Sequence, residues 1–192
     1  MNEKNGISRR NFLTLAGGTA GMATLLAMGV PAGWAENKSD IKLDEKVSVS
    51  ELLNKIAERA QEQADQNHAL LKQDLCVSND GLIQCHQEVL IGAVLNLINN
   101  AIEASERGAS VEIVALSQDA LLSIAIKDSG RGMDEEQLRK VQEGFVTTKQ
   151  HGTGLGLMVV KAIMRAHHGT FNIESQPGVG TKATIKLPIL GS

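Results

Sequence analysis

The chain has 192 residues, 42% of them apolar, and a formal net charge of −3. That length suggests one domain with an appendage, and the apolar share is enough for a buried core. The small negative charge argues against nucleic acid or an anionic membrane surface as a bulk partner; with 2% aromatics and no Tyr, the core must be aliphatic and base stacking is not expected.

Residues 1–40 differ from the rest. Ser8-Arg9-Arg10-Asn11-Phe12-Leu13 is followed by an uncharged run rich in Gly and Ala, then by Pro31-Ala32-Gly33-Trp34-Ala35. The segment resembles a bacterial twin-arginine export signal with cleavage after Ala35, departing from the usual pattern at Thr14. The alternative is a membrane anchor, because residues 11–30 are about long enough to span a bilayer. Residues 41–192 then form the folded domain.

Ser48 and Glu51 have the spacing of a capping box, and Leu52, Ile56, Ala60 and Ala64 recur at helical spacing. This predicts a helix running to about residue 70. Two short strands are expected at 71–77 and 82–86, with Ser78-Asn79-Asp80-Gly81 as the turn between them. Cys76 and Cys85 lie on these strands. Two free buried thiols are the favoured reading, and an oxidised pair is the alternative if the chain is exported. Their spacing does not support a zinc site.

The next predicted helix covers about 88–105. Asn96, Asn99, Asn100 and Glu103 fall on one stripe of it, and Val89, Leu90, Val94, Leu97 and Ile98 occupy the other faces. A plain solvent face would explain the stripe. Asparagine is a poor helix former, however, and three within five positions need a reason. A side-chain carbonyl is a hard ligand suited to Mg²⁺.

Two strands follow at 110–116 and 121–128, the second alternating Leu122, Ile124 and Ile126 with Ser123, Ala125 and Lys127. A short helix is expected at 134–141. Two glycine-rich turns flank a basic segment: Asp128-Ser129-Gly130-Arg131-Gly132 and Gly152-Thr153-Gly154-Leu155-Gly156, with Lys149 before the second. In the first, glycines would let the backbone approach a flat ligand. The second opens a helix predicted to begin at Leu157, where free N–H groups suit a phosphate that Lys149 could reach. His167 and His168 close that helix before Gly169 in a structural role. Strands at 171–175 and 181–187 end the domain.

Taken together, the motifs resemble the ATP-binding catalytic domain of sensor histidine kinases, in the superfamily of gyrase, Hsp90 and MutL. VLNLINNAIEAS (94–105) looks like the N box, DSGRGM the G1 box, EGFVTTK (143–149) the F box and lid, HGTGLGL (151–157) the G2 box, and GVGTKATIKLP (178–188) the last glycine box. The resemblance implies an α/β fold, a two-layer Bergerat-type sandwich. Helices near 50–70, 88–106 and 154–168 would pack on one face of a mixed, mostly antiparallel sheet. It implies ATP and Mg²⁺ as cofactors, with Asn100 the metal ligand and Asn96 one turn earlier near the phosphates. The ATP contacts would come from Asn96, Asn100, Asp128, Gly130, Gly132, Phe145, Thr148, Lys149, Gly152, Thr153, Gly154, Leu155, Gly156, Leu157 and Thr181. Asp128 would accept the adenine amino group, with Thr181 bracing it through its hydroxyl.

Glu103 stands near where many such kinases carry Lys or Arg, which leaves Lys149 as the main cation. Asn96 takes the place of the general-base Glu of gyrase-like ATPases, so hydrolysis of that type is disfavoured. His68 lacks the setting of a phosphoacceptor. The phosphoacceptor hairpin is therefore expected to be separate, on another protein, or missing, and the partner after it is a response regulator. Two alternatives stay open: a Ser/Thr kinase resembling anti-sigma factors, and a nucleotide-binding module without catalysis.

Overall fold

A computed structural model of the chain describes residues 43–143 and 156–191. The signal-like segment, and the site candidates Phe145, Thr148, Lys149, Gly152, Thr153, Gly154 and Leu155, lie outside the described residues. In chain order the elements are β1 (Glu45–Ser48), α1 (Val49–Gln66), β2 (Leu70–Val77), β3 (Leu82–Cys85), α2 (Gln87–Ala104), β4 (Ser110–Gln118), β5 (Leu121–Asp128), α3 (Glu135–Glu143), α4 (Gly156–Ala166), β6 (Thr170–Gln176) and β7 (Gly180–Pro188).

Five strands form one sheet in the order β2-β4-β5-β7-β6, and β1 and β3 form a separate two-stranded pair. Only the β2–β4 pairing in the larger sheet is parallel. The sheet is therefore mixed and mostly antiparallel, as expected. Alternation sets its two faces. Val111, Ile113, Ala115, Leu122, Ile124, Ile126, Ala183, Ile185 and Leu187 are buried under the helices. The opposite face carries a polar row whose register links Lys72, Glu112, Lys127, Lys182 and Glu174 across all five strands.

The core is aliphatic. Leu52, Leu53 and Ile56 of α1, Leu90, Ile91 and Ile98 of α2, and Ile163 of α4 are fully buried in it. The three helices lie on one face of the larger sheet, α3 sits beside β6, and the two-layer α/β sandwich is as the sequence implied.

Helix ends follow local chemistry. Ser48 Oγ accepts the Glu51 N–H at 3.1 Å, but the Glu51 carboxylate turns to Lys55 instead of closing a reciprocal capping box. The reciprocal box forms at α3, where Asp134 and Gln137 each accept the other's backbone N–H. α1 and α4 end alike. His68 and His168 take left-handed backbone, with φ of 54° and 55°. Ala69 and Gly169 then donate back to Ala64 and Met164, closing Schellman turns that feed directly into β2 and β6. This ends α1 at Gln66, short of the predicted residue 70.

The cysteine expectation needs correcting in part. Both thiols are free, but Cys76 is exposed and only Cys85 is buried. Cys76 lies on the outer face of β2, and Cys85 packs into the core from β3. Burial pushes the Cys85 thiol up to about 11, with Glu45 and Glu51 adding to the effect. It is an inert core residue.

Candidate functional site

The site is built where β5 ends. Asp128 is its last residue, half-buried beside the C-terminal end of α2. Its Oδ1 accepts the Gly130 N–H at 2.9 Å and the Thr181 N–H at 3.2 Å. Burial raises its carboxyl from the ordinary value, and the two backbone donors oppose that rise. Both bonds fall on Oδ1, so Oδ2 is the oxygen left for a ligand. Thr181 braces the aspartate through its backbone; its hydroxyl lies 2.9 Å from Ser175 Oγ, which corrects the expectation of a hydroxyl contact.

The loop after Asp128 is clamped from two sides. Arg131 N–H donates to Ala104 O at 3.3 Å, at the end of α2. Gly178 N–H of the β6–β7 turn donates to Arg131 O at 2.8 Å. The glycines serve this clamp. A Cβ on Gly130 would lie 2.3 Å from Ala104 O, and one on Gly132 would lie 1.9 Å from Gln176 O. Gly132 also has a φ of +64°, which L side chains rarely adopt. Close approach of the chain to itself thus demands both glycines, whether or not a ligand is bound.

The second half of the site lies between α2 and α4. Asn96, Asn99 and Asn100 are partly buried on one stripe of α2, and Glu103 is exposed. Gly156 opens α4 directly against Asn96; a Cβ there would lie 2.8 Å from Asn96 Nδ2 and 2.9 Å from Oδ1. Asn96 Nδ2 is itself buried without a hydrogen-bond partner among the described residues. An orphaned amide donor beside a helix N-terminus is the arrangement that an anionic oxygen would satisfy. Leu157, the next residue, is partly buried against the core.

The structure thus sets Asp128, Gly130 and Thr181 together at the end of β5, Gly132 against Gln176, and Gly156 and Leu157 at the start of α4, with Gly156 against Asn96 near the middle of α2, one turn before Asn100. Residues 85–191 match the family described as Histidine kinase-, DNA gyrase B-, and HSP90-like ATPase. The chain belongs to that family. Sporulation kinase E of Bacillus subtilis is 37% identical over 147 residues, covering 76% of this chain and 20% of that protein. Sensor histidine kinase ZraS of Escherichia coli is 39% identical over 114 residues, covering 58% of this chain and 24% of that protein. The chain therefore spans about a fifth to a quarter of the curated relatives it matches.

Among solved structures, the catalytic domain of histidine kinase ThkA aligns with a TM-score of 0.64 at 23% identity, covering 76% of this chain and 95% of that one. Full-length ShkA, in complex with AMPPNP, aligns with a TM-score of 0.68 at 21% identity, covering 94% of this chain and 36% of that one. At these identities the likeness is one of fold.

A metal at this site would be held mainly through phosphate oxygens. No group of three His, Cys, Asp or Glu able to hold a metal occurs among the described residues. Mg²⁺ commonly takes one or two protein oxygens and completes its shell with phosphates and water. Asn100 supplies a carbonyl of that kind on the same stripe as the orphaned Asn96 amide.

Two contacts that hold the start of α2 leave little mark on the sequence. Glu45 Oε1 accepts the Gln87 N–H at 3.2 Å, capping α2 from β1. His167 of the α4 terminus is buried, and its Nε2 accepts the His86 N–H at 3.1 Å. The sequence signal was present only as an His-His-Gly helix end. Nothing local in it discloses a partner 81 residues away.

Proposed function

We propose that residues 41–192 are the Mg-ATP-binding catalytic domain of a two-component sensor histidine kinase. The domain passes the γ-phosphoryl group of ATP to a histidine on a dimerisation hairpin outside these residues, and a response regulator receives it next. The observation that carries this reading is the Asp128 carboxylate at the end of β5. One oxygen is fixed by Gly130 and Thr181, and the other is left to the site. The names of the relatives, all sensor or sporulation kinases in the comparisons above, and the AMPPNP complex of ShkA support it.

The chemistry follows from the residues. An ionised carboxylate only accepts hydrogen bonds, so Asp128 takes an adenine amino N–H and disfavours guanine, which presents a carbonyl there. Asn96 Nδ2 and the α4 N-terminus would face the phosphates, with Thr153, Gly154 and Leu155 of the glycine-rich motif as further ATP contacts. Lys149 would be the cation for the phosphates, and Phe145 and Thr148 further contacts from the lid motif. Asn100 would hold Mg²⁺, which neutralises phosphate charge when bound. Phosphoryl transfer requires mostly positioning and charge neutralisation, and these parts supply both.

Residues 1–40 are proposed as a twin-arginine signal or membrane anchor, with association through residues 11–30. Fused alone to a reporter, they should direct it to the twin-arginine route, and joint Arg9→Lys and Arg10→Lys should block it. A reporter that stays inside would instead make the segment a membrane anchor or an accident of gene fusion.

Phosphotransfer from radiolabelled ATP to candidate hairpin domains tests the kinase reading. An acid-labile, alkali-stable product is expected, as for phosphohistidine. An acid-stable product would favour the Ser/Thr kinase alternative. Binding without any transfer would favour a nucleotide-binding module.

A further inference from the structure

α2 and α4 run antiparallel and pack along each other, with a polar side chain at each of two points. Near the middle of α2, Gly156 meets Asn96. At its start, His167 meets His86. Ten positions separate His86 from Asn96, and eleven separate Gly156 from His167. At about 1.5 Å per residue these are spans of roughly 15 and 16 Å. Two fixed points at matching spacing set the axial register of one helix against the other.

His167 is suited to hold its point. It is almost wholly buried, with 1% exposure. Its Nδ1 lies 2.8 Å from Ile163 O, one turn back on α4, and its Nε2 lies 3.1 Å from the His86 nitrogen. A carbonyl can only accept, so Nδ1 carries the proton. A backbone N–H can only donate, so Nε2 is bare. The pair of contacts fixes one neutral tautomer. The donor it receives is the N–H of the α2 N-cap residue, which has no side-chain cap bond of its own.

We propose that His167 is a positioning residue for the nucleotide's phosphates: as a neutral imidazole it pins the start of α2 to the end of α4 and so holds Asn96 and Asn100 in register with the α4 N-terminus. This rests on the reading that ATP lies between these helices. Protonation would convert the Nε2 acceptor into a donor facing the His86 N–H, and the pin would be lost. The ionisable groups around it oppose or modulate that change. His86 and His168 repel the added charge, while Glu45 lies 3.8 Å from His86 Nδ1 and Cys85 precedes it on β3. Burial lowers the His167 pKa from its ordinary value, keeping it neutral.

The test compares the full chain with His167→Leu and His167→Gln. Glutamine keeps an acceptor for His86, and leucine does not. Mg-ATP binding is measured by calorimetry, and adenosine binding by NMR shifts as a probe of the Asp128 end alone. His167→Leu should weaken Mg-ATP about tenfold and adenosine by less than about twofold, and His167→Gln should restore most of the loss. Equal losses of adenosine and Mg-ATP in folded His167→Leu would overturn the proposal, as would a glutamine variant no better than leucine. If His167→Leu does not fold, His167→Met, which is nearly isosteric with glutamine but offers no good acceptor to His86, takes its place. Mg-ATP affinity equal in His167→Met and His167→Gln would overturn the proposal. A wild type that binds no Mg-ATP at all would instead sink the nucleotide reading on which it rests.

Discussion

Thr181 N–H reaches across 53 residues of sequence to Asp128 Oδ1, at 3.2 Å. With Gly130 N–H on the same oxygen, this bond fixes the carboxylate plane before any ligand arrives. An asparagine oxygen accepts the same two bonds. Asp128→Asn should therefore fold normally while offering the adenine amino group a second donor. Most of the Mg-ATP thermal shift should be lost, and an undiminished shift would remove Asp128 from the pocket.

The pH dependence of the apo domain follows from the same residue. Burial raises the Asp128 carboxyl in the folded state above its value in the unfolded chain. The folded state then binds this proton more tightly, so the Asp128 contribution falls as pH rises above the ordinary aspartate range. Asp128→Asn removes that fall. The apo variant should melt at or slightly above the wild type at neutral pH. Melting curves at acid and neutral pH check it; a variant melting well below wild type at neutral pH would contradict the account.

Gly132 and Gly178 make a matched pair. Both have positive φ, but a Cβ would meet Gln176 O at 1.9 Å at Gly132 and nothing within 4 Å at Gly178. Gly178→Ala should cost about 1 kcal/mol from backbone strain alone. Gly132→Ala should cost clearly more, about 2–4 kcal/mol, because backbone must also move. Denaturant unfolding without nucleotide gives both numbers. Equal costs would mean the clamp on the Asp128 loop is loose.

Gly156→Ala separates binding from stability in the opposite direction. The three atoms nearest the added methyl among the described residues all belong to the Asn96 side chain, and alanine favours a helix. Apo stability should hold or improve slightly, while Mg-ATP affinity falls because the Asn96 amide is displaced. Unchanged Mg-ATP affinity would place the phosphates elsewhere.

Lys161 ties α4 to α3. Its Nζ donates to Val141 O at 3.3 Å and to Gln142 O, satisfying carbonyls at the end of α3. Lys161→Met should raise amide hydrogen exchange in Glu135–Glu143 and leave exchange in the sheet unchanged. Uniformly faster exchange across the domain would mean that the contact supports the whole fold.

Much of this was legible because periodicity was strong. The alternation of Leu122, Ile124 and Ile126 fixed the buried face of β5, and Asp128 followed at its end. β1 escaped because four residues, Glu45–Ser48, carry too little pattern and pair only with the short β3. The end of α1 was overrun because a Schellman turn closed by His68 has no glycine to announce it. Thr181 was identified but its role was not, since a backbone bond leaves no mark on residue type. Gly130 and Gly132 read as room for a ligand, yet the atoms that fill the space are Ala104 O and Gln176 O. His167 and Glu45 act on α2 from distant elements, and only the fold brings them there.

One nucleotide lying across the end of β5, the asparagine stripe of α2 and the start of α4 would perturb those three places together. Titrating the isotope-labelled protein with Mg-AMPPNP and following backbone amide NMR signals tests this. The first and largest shifts are expected at Gly130, Thr181, Asn96, Asn100 and Gly156, with Lys72 and Cys76 on the far strand β2 unmoved. Shifts confined to the outer face, or absent from both Gly130 and Gly156, would contradict it.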